Sequence, residues 1–244
     1  MANFDPRTTA AGGPTSVGAR AAAFDDGLRA HMLSVYNYMA SGVLLTGVVA
    51  MLFSGWSGSQ DILFGPGPLK YLIMFAPLGF VLVLSFGINK LSTGTAQALF
   101  WGYAAVMGLS MASIFYVYTN TSVAQTFFAS AAAFGGLSLW GYTTKRDLSG
   151  MGTFLVMGVV GLLVAMVLNM FLKSDGLGFA ISAIGVLVFA GLTAYDTQKI
   201  KSMYFHVAGT DFAGKAVVMG ALQLYLDFVN MFMFLLRFMG NSRN

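Results

Sequence analysis

Two aspartates stand where an apolar chain has reason to exclude them. Asp196 lies in AGLTAYDTQKIK and Asp227 in ALQLYLDFVNMF, each inside a run that otherwise reads as a membrane-spanning helix. Placing an ionised Asp at mid-membrane costs about 2.5–3.5 kcal/mol on insertion scales, so such residues turn to a bundle interior or a wet cavity. Helical spacing gives each one a polar face. Gly220, Gln223, Asp227 and Asn230 follow steps of three and four, as do Ser182, Gly185, Phe189, Thr193 and Asp196. Two carboxylates in a medium of low dielectric cannot both ionise cheaply, and such a pair can share one proton. Together with Asn230, backbone carbonyls and water they make an all-oxygen environment suited to a hard cation such as calcium. The residues therefore permit a proton-sensitive cation site. The alternative reading of the same residues is structural: Asp196 at the interface neutralised by Lys199, and Asp227 protonated on a backbone carbonyl.

The elements that would position this pair follow from composition. The chain has 244 residues, 57% of them apolar and 9% charged, against about a quarter charged in soluble domains. Lipid must be the solvent for most of such a surface. Cysteine is absent, which removes disulfides, thiol catalysis and thiolate metal sites, and every acid is Asp. The net charge of +4 is spread along the chain, without the clustered basic patch that a nucleic-acid partner requires. His31 and His206 have no metal-ligand spacing around them.

A spanning helix needs about 20 mostly apolar residues. The pattern predicts an all-α bundle of seven such helices over residues 32–53, 71–89, 96–118, 123–142, 148–172, 177–198 and 216–238. Residues 1–31 read as a polar, disordered cytoplasmic tail with no apolar core of a cleavable signal, 32–238 as the membrane domain, and 239–244 as a short tail. Pro77 should kink the second span. With the N-terminus inside, nine Lys and Arg fall in inner segments and four in outer ones, which predicts a C-terminus outside. Small-residue pairs such as Ala131 with Gly135 and Gly158 with Gly161 predict close helix approach.

The residues around the aspartates also carry a resemblance. Tyr195-Asp196-Thr197-Gln198 followed by Lys199-Ile200-Lys201, and Leu224-Tyr225-Leu226-Asp227-Phe228-Val229-Asn230, resemble the last two helices of the Bax-inhibitor-motif membrane proteins. GLSMASIFYVYT (residues 108–119) and GYTTKRDLSGMG (residues 141–152) are similar to the bacterial branch. The resemblance implies a seven-helix fold with the seventh helix central, and a pH-sensitive calcium leak through a bacterial inner membrane, gated by Asp196 and Asp227. Tyr195, Gln198, Gln223 and Asn230 would support the pair. Some members close the pore with a basic residue of the second helix, which residues 71–89 lack. Other bacterial members are associated with a membrane-bound protease in stress quality control, which implies a non-transporting modulator as the alternative. No cofactor is expected; the partners are lipid, protons and calcium. An enzyme is not expected, because the Gly-x-Gly-Asp and Pro-Ala-Leu elements of intramembrane aspartyl proteases are missing, and a retinal protein would need a lysine in the seventh span.

Overall fold

In lipid a spanning segment must satisfy its own backbone, and helices do so without help from neighbours. The computed structural model describes residues 17–243. Among these, the helices are α1 (Val17–Ser54), α2 (Ser59–Phe64), α3 (Leu69–Gly87), α4 (Thr93–Met111), α5 (Ile114–Val117), α6 (Asn120–Thr143), α7 (Ser149–Leu172), α8 (Asp175–Val207) and α9 (Ala213–Met239). Seven segments are long and apolar enough to cross a bilayer, with α4 and α5 forming one of them. Side-chain oxygens cap three starts: Ser92, Thr119 and Ser174 accept from the N–H groups of Thr95, Ser122 and Leu177. α7 stops at Lys173, whose left-handed backbone (φ 49°) closes the helix.

α9 is the central element. It packs against α8, α1, α6 and α4, and its span is the most deeply buried of the seven. α8 lies beside it, flanked by α6 and α7, while α3 rests mainly on α4 at the periphery. The outward faces of α3 and α7 are mainly large apolar side chains, as lipid contact demands.

Several expectations need correction. The stretch expected to be a disordered tail is helical from Val17 onward, continuous with the first span. Its Ala-rich composition favours helix, and α8 supplies a surface for it: Phe24 packs on Tyr204 and Phe205, and Leu28 and His31 are buried. Residues 1–16 lie outside the described residues. The third span breaks at Ala112, whose N–H is shared between the carbonyls of Gly108 and Leu109. The loop between the first and second spans contains the short helix α2, and α3 extends from Leu69 to Gly87 with Pro77 inside it. α8 continues past Gln198 to Val207. The last residues are tied down: Arg243 N–H donates to Val117 O at 2.8 Å, and Thr119 N–H to Asn241 O at 3.1 Å. Of the small residues singled out, Gly158 meets Val188, whereas Gly135 and Gly161 face open space. The tight approaches are elsewhere. A Cβ on Gly141 would lie 2.3 Å from Ala194 O, and one on Gly152 would lie 2.4 Å from the Tyr195 ring.

Candidate functional site

Asp196 and Asp227 come from consecutive antiparallel helices and meet at the centre of the bundle. The continuation of α8 beyond Gln198 places Asp196 within the bundle rather than at its rim. The two residues are 3% and 4% exposed, and their carboxyl groups lie close enough to interact directly. A hydrogen bond between them requires that one carry a proton, since two carboxylates offer only acceptors. Asp196 Oδ1 and Asp227 Oδ2 have no protein partner. Buried polar atoms are rarely left so, and each oxygen retains lone pairs for a water, a proton or a cation. Gln223, one helical turn before Asp227, lies beside the Asp196 carboxyl. Lys199 is at coulombic range of both acids, with its own side chain exposed.

The other expected supporting residues turn elsewhere. Gln198 accepts from Leu148 N–H and donates to Arg146 O, both at 2.8 Å, and so holds the α6–α7 turn against α8. Within that turn Asp147 accepts from Ser149, which holds its carboxyl below the usual carboxylate range. Tyr195 packs on Gly152. Asn230 donates its amide back to Leu226 O at 2.8 Å. Each lies on an α8 or α9 face that packs against a helix other than its partner in the pair, or bonds its own backbone.

The sequence reading did not single out the buried polar contacts that brace the pair. Lys201 caps the C-terminal turn of α6 by donating to Tyr142 O at 2.8 Å, its ammonium 4.8 Å from the centre of the same ring. Thr197 donates to Thr193 O, with the Ser138 hydroxyl at 3.4 Å. On the opposite flank of α9, fully buried Tyr225 (0% exposed) shares a 2.7 Å hydrogen bond with Thr46 of α1, and the Thr46 oxygen is 2.8 Å from Ala104 O of α4. This ties α1, α4 and α9 together beside Asp227. Tyr225→Phe removes one buried hydrogen bond, for a loss of about 0.5–1.5 kcal/mol. The expected fall in the melting temperature of the detergent-solubilised protein is about 2–4 °C per kcal/mol for a chain of this size; an unchanged value would show that the Thr46 contact carries no stability. Among the described residues His31 also has a buried unpaired atom: it packs against Tyr204, 5.4 Å between ring centres, and its Nε2 has no partner.

As a cation site the arrangement is sparse. Calcium takes six to eight oxygens, whereas among the described residues no third acid or histidine joins the two aspartates. Two carboxyls and one amide fit an ion in transit that keeps part of its water better than an ion held in a protein cage.

Comparison with known proteins places the chain in a family. The profile of the family described as inhibitor of apoptosis-promoting Bax1 matches residues 28–244. An uncharacterised protein of Rickettsia prowazekii is 50% identical over 222 residues, covering 91% of this chain and 93% of that protein. A Caulobacter vibrioides protein is 47% identical over 229 residues, covering 90% and 91%. The inner membrane protein YbhL of Escherichia coli strain K12 is 46% identical over 219 residues, covering 89% and 94%. This chain, an all-helical integral membrane protein, belongs to the Bax inhibitor family.

Proposed function

We propose that the chain is a pH-sensitive leak channel for calcium, gated by Asp196 and Asp227. The observation that carries this reading is the contact of two buried acids across the α8–α9 interface, each with one oxygen unpartnered. With one shared proton the pair is a hydrogen bond that holds α8 to α9. When that proton leaves, two like charges face each other in a poorly screened interior and repel strongly. The same step creates two anionic oxygens with affinity for a divalent cation. Closure and ion binding are thus alternative uses of one set of lone pairs. Calcium is the permeant ion in this account, not a resident cofactor.

By its likeness to YbhL the chain belongs in an inner membrane, and the distribution of Lys and Arg supports an N-terminus inside and a C-terminus outside. Single cysteines at Asp25 and Ser242, labelled with an impermeant reagent in a chain that has no cysteine of its own, should react from opposite faces. Reaction of both from one face would mean an even number of spans.

The functional test is calcium entry into dye-loaded vesicles containing the purified protein. A flux lost or made insensitive to pH in Asp227→Asn supports the channel. Vesicles that stay silent while the protein retains a stable membrane-protease partner would favour the non-transporting modulator.

A further inference from the structure

The α8–α9 interface does not end at the acid pair. Stepping back along α8 by seven residues at a time gives Asp196, Phe189 and Ser182; stepping forward along α9 gives Asp227 and Phe234, with Arg237 one turn further. Seven residues are two helical turns, so each series stays on one face and each step covers about 10.5 Å. Phe189 and Phe234 therefore lie at matching depth, on the side of the acids toward the chain's C-terminus. Their rings stack with centres 5.7 Å apart and planes at 25°. They are 7% and 6% exposed. Gly185 makes the room, since a Cβ there would sit 2.5 Å from the Phe234 ring.

Beyond the rings, where α7 turns into α8, a cavity of about 810 Å³ opens between α7, α8 and α9. It is polar at its rim, with Asn169, Lys173, Ser174, Asp175 and Arg237, and it reaches inward to Ser182. From this side the interface therefore reads as a polar cavity, then two stacked phenyl rings, then two carboxyls.

We infer that this cavity is the water-filled mouth through which a hydrated ion meets the α8–α9 interface, and that the Phe189–Phe234 stack is the dry barrier between it and the aspartates. A narrow apolar constriction blocks ions because water will not fill it. The rings supply such a constriction with no polar atom of their own. Ionisation of the acids alone does not open the path from this side; the rings must also part, and separation of α8 from α9 moves both pairs together. Two cations against one acid at the rim do not concentrate calcium, so selection falls to the aspartates. The identity of the ion rests on the function proposed above; the barrier does not.

Cysteine accessibility separates the two. Single cysteines are placed at Ser182, in the mouth, and at Thr193, between the rings and the acids, and a membrane-impermeant cationic thiol reagent is added from the side bearing the C-terminus. The Ser182 cysteine should react in every background. The Thr193 cysteine should react slowly with both rings present and at least about tenfold faster with Phe189→Ala or Phe234→Ala, equal to about 1.4 kcal/mol off the barrier. Phe234→Leu, which keeps an apolar plug, should stay slow and serves if an alanine variant does not fold. An unreactive Ser182 cysteine would overturn the mouth. A Thr193 cysteine that reacts equally fast, or equally slowly, in the parent and in a folded alanine variant would overturn the barrier. If labelling follows the rings while the parent protein passes no calcium, the barrier stands and the calcium reading fails.

Discussion

Gly141→Val is expected to prevent the bundle from closing. A Cβ at this position would lie 2.3 Å from Ala194 O, 2.9 Å from its Cα and 3.0 Å from its carbonyl carbon. These are backbone atoms of α8 and cannot rotate away as the end of a side chain would. α6 would have to move off α8, carrying with it the Lys201–Tyr142 and Thr197–Ser138 contacts that surround Asp196. Overpacking ordinarily costs about 1–3 kcal/mol, and a backbone obstacle belongs at or above the top of that range. The expected result is little folded protein in detergent by size-exclusion chromatography. Gly135→Val, on the same helix but facing open space, should fold like the parent. Equal behaviour of the two variants would show that α6 does not approach α8 as closely as described.

Asp227→Asn should abolish the pH dependence of the α8–α9 spacing. In the parent, lowering the pH adds the proton that turns two repelling carboxylates into a hydrogen-bonded pair, so acid draws the helices together and alkali separates them. Asparagine keeps the size and much of the hydrogen-bonding capacity but cannot titrate, which fixes the spacing. Asp196→Asn should act in the same way, less completely where Lys199 already favours the ionised partner. Spin labels at exposed Ser202 on α8 and at half-buried Lys215 on α9 report the distance across this end of the two helices. A parent distance that stays constant between about pH 5 and 8, a range that burial and like-charge neighbours can bring carboxyls into, would remove the pair as the moving part.

The sequence made the pair visible because an acid in an apolar helix has few tolerable positions, and three- and four-residue spacing assigns each acid a face. It also made the spans visible, since lipid imposes length and apolarity on every one. What it did not make visible was the choice among residues sharing a face. Gln223 and Asn230 lie on the same stripe of α9 as Asp227, yet only Gln223 lies beside the Asp196 carboxyl, while the amide of Asn230 bonds its own helix. That choice depends on rotamer and on what stands opposite, which spacing does not encode. Gln198 was misplaced for the same reason: its partners are in the α6–α7 turn, about 50 residues earlier in the chain. Small-residue pairs on α6 and α7 predicted close contact, but only the glycines that face another helix make it, as Gly141, Gly152 and Gly158 do and Gly135 and Gly161 do not. The packing of the start of α1 was not legible, because the surface that stabilises it is the far end of α8, about 180 residues later in the chain.

The most direct test of the central claim is calcium flux into dye-loaded vesicles, measured from about pH 5 to 8 for the parent and for Asp196→Asn/Asp227→Asn, the same range in which shifted acids titrate. The account predicts a parent flux that changes with pH and a double-variant flux that does not, at equal amounts of folded protein. A double variant with the parent's pH profile would contradict it, because the sensor would then lie outside this pair.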